Sequence, residues 1–191
     1  MKRTLYIIIC CSSILLFSCH GKETTIEAKK EDTASKTPVV QDTLKPKVTP
    51  TNFSAAKTIS DNLAFSNNFS YFFGMLEELH YDSLLKTAGP YTVFAPDNTV
   101  LKSMESMIDN LSKPNMRKQL KELLMHHIVP GKWMSAVLNN GFKLKTMAGD
   151  ELTVSRKGDT LMIGTVRIVN PDQLSGNGVI HVTDNLLMPV K

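Results

Sequence analysis

Tyr91-Thr92-Val93-Phe94-Ala95-Pro96-Asp97-Asn98-Thr99-Val100 is the stretch on which the fold turns. Gly89-Pro90 breaks the chain just before it, and Tyr91-Thr92-Val93-Phe94 then has the aromatic and β-branched composition of a strand. Pro96 lacks the N–H that a continuing ladder needs, so the strand stops there. Asp97 or Asn98 can offer a side-chain oxygen to the free N–H groups of a following helix. Leu101, Met104 and Ile108 come next at helical spacing and form its buried face. Strand, proline stop, cap and helix together make one corner of a packed domain.

Outward from this corner the pattern stays that of a folded domain. Asn67-Asn68 offer a helix cap, and Phe69, Phe72, Phe73, Leu76 and Leu79 follow on one helical face, most simply as core. A second amphipathic helix spans about Lys113 to Met125, with Met116, Leu120, Leu123 and Leu124 inward. It passes into His126-His127-Ile128-Val129 as a strand and turns at Pro130-Gly131. After Gly141 the period falls to two, with Phe142, Leu144 and Thr146 alternating with Lys143 and Lys145. Leu152-Val154 and Leu161-Ile163 flank a turn at Arg156-Lys157-Gly158-Asp159, which predicts a hairpin. Val166-Ile168 adds a strand, and Val179-Ile180-His181-Val182 closes the sheet. Helices first and short strands later give an α+β domain.

Two further stretches accompany the first, LLMHHIVPG from Leu123 to Gly131 and NGVIHVTDNLLMP from Asn177 to Pro189. In order and spacing the three resemble the fasciclin-like domain, a module of cell-adhesion and secreted matrix proteins. The resemblance covers roughly Asn52 to Lys191. It implies a single fasciclin-like domain, residues 52–191, built as a short-stranded β wedge or sandwich with helices packed at one edge. It further implies that Thr92, Phe94, Pro96, Asn98, His127, Gly131, Gly178 and His181 are structural motif residues. His127 matches the motif histidine, whereas His126 stands where the family usually has tyrosine. The second motif is associated with integrin binding in animal members, and this chain departs from it at His126.

Little in the chain suggests chemistry. Adjacent histidines on a strand point to opposite faces, so His126 and His127 cannot both reach one ion without a kink. No carboxylate near them has ligand spacing, and His127 and His181 read as strand fasteners hydrogen-bonded to backbone. Lys157-Gly158-Asp159 resembles an integrin-recognition tripeptide, yet hairpin turn chemistry accounts for it. Asp150-Glu151 follows Gly149 and reads as a turn. The glycines at 164, 176 and 178 lack phosphate-loop spacing, and no serine has a nucleophile-elbow context. The expectation is a non-catalytic protein with no cofactor and no metal.

The N-terminus indicates how the domain is displayed. Lys2 and Arg3 precede an apolar run, Leu5 to Phe17, too short for the roughly 20 residues of a membrane span but suited to a secretory signal, residues 1–18. Leu16-Phe17-Ser18-Cys19 resembles the lipobox of bacterial lipoproteins, which makes Cys19 the lipidated first mature residue and the membrane anchor. Residues 19–51 are rich in Lys, Glu, Thr and Pro and are expected to form a disordered tether. His20-Gly21-Lys22-Glu23 favours an outer-membrane lipoprotein, on the cell surface or facing the periplasm, and Asp32-Thr33-Ala34 and Asp42-Thr43-Leu44 resemble an O-glycan acceptor pattern. The 3 cysteines all fall at or before Cys19, which leaves the domain without thiols. With 22 basic and 18 acidic residues interleaved, no basic stripe exists to bind nucleic acid. The expected partners are the membrane through Cys19 and an extracellular matrix component, cell-surface protein or glycan. The expected role is adhesion or matrix and biofilm interaction, with small-molecule or polysaccharide binding as the alternative.

Overall fold

The computed structural model describes residues 52–189; the expected signal, Cys19 and the tether lie outside the described residues. α1 (Ile59–Ala64) opens on a reciprocal cap, in which Thr58 Oγ1 accepts from the Asp61 N–H and the Asp61 carboxylate accepts from the Thr58 N–H. Asn67-Asn68 belong to a 3₁₀ turn, Asn67–Phe69, rather than serving as the expected cap of α2 (Ser70–Glu78), whose N-cap is Phe69. α3 (Tyr81–Leu84) leads to β1 (Tyr91–Pro96). Asp97 then accepts from the Val100 N–H at 3.0 Å and caps α4 (Asn98–Ser103).

The helix expected to run through Ile108 breaks at Met104, which ends α4 and starts α5 (Glu105–Leu111). The break lets Leu101, Met104 and Ile108 reach one core from two helix axes. Another 3₁₀ turn, Pro114–Met116, precedes α6 (Arg117–His126), which buries Leu120, Leu123 and Leu124. The strand expected at His126-His127 does not form there. His126 is the last residue of α6, His127 keeps helical backbone angles as its C-cap, and β2 (Ile128–Pro130) begins only afterwards.

The remaining strands are β3 (Lys143–Lys145), β4 (Glu151–Lys157), β5 (Thr160–Ile163), β6 (Val166–Ser175) and β7 (Gly178–Thr183). The β4–β5 turn is only Gly158-Asp159, since Lys157 already pairs with Thr160. Among the described residues the seven strands join one sheet in the order β2-β1-β7-β6-β5-β4-β3. β7 therefore lies inside the sheet, parallel to β1 and antiparallel to β6, rather than closing it at an edge. The Met147 N–H donates to the Ile128 carbonyl at 2.8 Å, so the chain just after β3 meets the start of β2 and the sheet nearly closes on itself.

Curling divides the core in two. Val93 and Ala95 of β1 face Ile59, Phe72, Leu76, Leu120 and Leu124 on the helices, whereas Phe94 faces Val129, Leu144, Val154 and Ile163 inside the curl. β1 and β7 are covered on both faces, which explains why both read as nearly unbroken buried runs.

Candidate functional site

The signature residues converge where β1, β7 and the segment after β2 meet. Thr92 Oγ1 donates to the Gly131 carbonyl at 2.7 Å and accepts from the Trp133 N–H at 2.9 Å. Gly131 has φ +100, and a Cβ there would press on the Trp133 indole. His181, wholly buried, accepts from the Asp172 N–H at Nδ1 (3.1 Å). That bond assigns the proton to Nε2, which donates to the Trp133 carbonyl at 2.8 Å. Burial pushes the His181 pKa down, while the Trp133 carbonyl and the Asp172 charge pull the other way. Phe94 stacks on the imidazole with ring centres 5.6 Å apart. Asp172 has φ +59 at an irregularity in β6, and its carboxylate accepts from both the N–H and the hydroxyl of Ser135. Trp133 is thus held at its N–H by Thr92 and at its carbonyl by His181.

A second node joins the helices to the sheet. His127 is fully buried against Phe72, and its Nε2 accepts from the Leu187 N–H at 3.0 Å. Nδ1 therefore carries the proton and donates to the Leu123 carbonyl at 2.8 Å, the tautomer opposite to that of His181. Burial drives the His127 pKa to about 4. Asn98 reaches back across the corner: its Oδ1 accepts from the Tyr71 N–H at 3.1 Å and its Nδ2 donates to Asn67 O and Ser70 Oγ. It supplies the start of α2 with the cap that Asn67-Asn68 were expected to give. Pro96 ends β1 opposite Thr183. Gly178 pairs with Tyr91, and a Cβ on it would collide with the Tyr91 carbonyl, so only glycine fits.

Asn177 is a residue that sequence reasoning missed. Its Oδ1 accepts from the Ile59 N–H at 2.8 Å, and its Nδ2 donates to Leu85 O and Thr87 O, each at 2.7 Å. One amide thereby joins α1, the chain after α3 and the entry to β7. Its place at the head of the third motif was the available signal. Asp172 had a signal as well, because Asn170-Pro171-Asp172 is turn composition inside a strand and aspartate tolerates the left-handed region.

His126 does not join either node. It faces a cleft of about 480 Å³ between the end of α6, the start of β4, the β5–β6 turn and the segment Asn185–Met188. Its side chain is 2 % exposed and Nδ1 lies 3.3 Å from Asp150 Oδ2, a charge-pair distance without hydrogen-bond alignment. Burial lowers its pKa, and Asp150 opposes the shift. Asp150 occupies the expected turn, while Glu151 opens β4 and bonds Lys143 at 3.0 Å. A second hollow of about 450 Å³, against Leu111, Glu122 and Leu123, shares Asp150 and Met188 with the first. Lys157-Gly158-Asp159 lies on the exposed hairpin tip. Among the described residues no group of three His, Cys, Asp or Glu side chains is placed to hold a metal ion.

Known proteins agree with this architecture. The Fasciclin domain family model matches residues 67–189. Protein sll1483 of Synechocystis is 29 % identical over 136 residues, covering 71 % of this chain and 75 % of that protein. Human periostin is 30 % identical over 137 residues, 71 % of this chain but only 16 % of its own length. In three dimensions the chain is similar to a FAS1 domain pair from the insect cell adhesion molecule Fasciclin I, with a TM-score of 0.63 and 19 % identity, over 70 % of this chain and 51 % of that one. The chain belongs to the fasciclin-domain family.

Proposed function

We propose that this protein is a lipid-anchored module of the bacterial envelope that binds other surfaces and catalyses nothing. Cys19 fixes it to the outer membrane, residues 19–51 hold the domain away, and the domain contacts matrix, a cell-surface protein or a glycan. One observation supports the non-catalytic part of this reading: the histidines of the family signature have both ring nitrogens committed to backbone groups. Such rings brace a scaffold and have no nitrogen left for proton transfer or metal binding. Contact then falls to outward-facing side chains such as Phe65, 74 % exposed with the Lys57 ammonium 4.0 Å from its ring centre, and Tyr71. The insect neighbour's role in cell adhesion points the same way.

The test is antibody labelling of intact cells against residues after Asn52, paired with attachment assays of a deletion strain. Labelling before permeabilisation together with loss of attachment supports the proposal. Labelling only after permeabilisation moves the domain to the periplasm, and normal attachment removes the adhesive role. A second function is favoured by the cleft beside His126, which fits a small-molecule-binding domain of the envelope.

A further inference from the structure

Arg117, Lys118 and Lys121 stand together on α6, and with Leu79 and Tyr81 they line a shallow hollow of about 380 Å³ beside the α2–α3 junction. No carboxylate lines it. Nor does the surrounding fold balance its charge. Arg117 donates to the Glu78 carbonyl at 2.9 Å, a neutral acceptor. Lys118 has Glu122 at 4.0 Å with both side chains largely in solvent, a pairing worth little. Among the described residues no carboxylate pairs with Arg117 or Lys121. Lys86, by contrast, follows Asp82 by four positions and bonds it at 3.1 Å.

The placement is unfavourable for α6 itself. Arg117 and Lys118 occupy its first turn, which holds no acidic residue, and cations there oppose the helix dipole. Arg117 and Lys121 lie one turn apart on one face, where like charges repel. All three side chains are exposed, so packing does not demand them. A concentration of positive charge of this kind attracts a polyanion.

The other two residues narrow the class. Tyr81 and Leu79 pack against the helical core from a half-buried position, so the tyrosine ring is held in place beside the cations. The hollow offers no long apolar trough for an amphipathic helix and no strand edge for an extended peptide. A ring flanked by cations fits a ligand that has apolar ring faces and carries carboxylates at intervals. We propose that the hollow formed by Leu79, Tyr81, Arg117, Lys118 and Lys121 binds an acidic polysaccharide, its uronate carboxylates paired with the three cations and one sugar face lying on Tyr81. This rests on the adhesive role and names the class of glycan contacted.

The test is calorimetric titration of the full chain in non-ionic detergent at low salt. Sodium polygalacturonate should bind saturably and neutral dextran should not. Lys118→Ala combined with Lys121→Ala should weaken binding at least about tenfold, whereas Lys132→Ala combined with Lys145→Ala, which removes the same charge elsewhere on the surface, should change it less than about twofold. Tyr81→Leu keeps an apolar side chain and removes the ring, so at an unchanged melting temperature it should weaken polygalacturonate by about fivefold and leave sodium poly-L-glutamate unaffected. Equal losses in the two lysine pairs would reduce the effect to net charge and overturn the site. Tighter binding of poly-L-glutamate, or of phosphatidylglycerol vesicles, would overturn the glycan class in favour of an acidic peptide or a lipid surface. Absence of saturable binding to polygalacturonate would overturn the proposal outright, while the adhesive role stands or falls separately on attachment of the deletion strain.

Discussion

His126 and His127 are neighbours in the chain and opposites in the fold. Both lie at the end of α6, where successive side chains are turned by roughly 100° around the axis. That rotation carries His127 inward, where Leu123 O and the Leu187 N–H engage both nitrogens. It leaves His126 over a cleft, against one aspartate, with Nδ1 unbonded. Burial alone therefore does not separate a histidine that fastens two elements from one that fastens none. The distinction is whether each ring nitrogen has a partner.

The contrast is most easily broken at His127. His127→Ala removes a side chain that bridges α6 and the segment after β7, leaves a cavity beside Phe72 and strands two buried backbone groups. It should lower unfolding free energy by about 3–5 kcal/mol, read by urea denaturation. A loss below about 1 kcal/mol would show that water replaces the ring and that the node is not a fastener.

Acid should produce the next largest effect. The His127 pKa stands at about 4 in the folded protein against an ordinary value near 6.5. Between those values the unfolded chain binds a proton that the folded chain refuses, so stability is full above about pH 6.5 and declines as pH falls towards 4. Each pH unit in that window costs at most about 1.4 kcal/mol for this group, or about 2 kcal/mol from pH 6.5 to 5. His181 and His126, whose pKa values are also lowered by burial, add to the slope with the same sign. Urea midpoints that stay flat from pH 7 to 5 would contradict the neutral tautomers assigned to His127 and His181.

Asn98 sharpens what a local reading can reach. Asn98→Ala should cost about 1 kcal/mol by uncapping α2 and freeing Asn67 O, and amide exchange should quicken at Tyr71 while α4, capped by Asp97, is unaffected. Exchange that quickens at Val100 instead would make it a cap of its own helix. The strand at Tyr91–Pro96 and the Asp97 cap were legible because both rest on residues close in sequence. The same kind of signal, Thr58 with Asp61 three residues on, was present and overlooked. The role of Asn98 was not legible, since its partners lie 27 to 31 residues upstream. Nor was the place of β7 between β1 and β6, because periodicity reports which residues are buried and not which strands pair. The break at Met104 was hidden for a related reason: Leu101, Met104 and Ile108 keep helical spacing across two helices. For the candidate site, helical spacing could have carried α6 through His126, but nothing near it in sequence indicated that Asp150, 24 positions on, would face it without a bond.

The smallest expected effect is the most discriminating. His126→Phe replaces a buried ring having one unbonded nitrogen with an apolar ring of similar shape beside Leu152 and Leu187. Removing an unsatisfied polar group in favour of an apolar one is near neutral or stabilising, so the change should stay within about 0.5 kcal/mol of the parent or raise stability slightly. The Asp150 contact argues against a larger loss, because an aspartate half open to solvent gains little from a neutral imidazole at 3.3 Å. A loss of 2 kcal/mol or more would mean that the pair behaves as a fastened hydrogen bond and that His126 belongs with His127 as part of the scaffold. A near-neutral result would leave His126 outside the scaffold that His127 fastens.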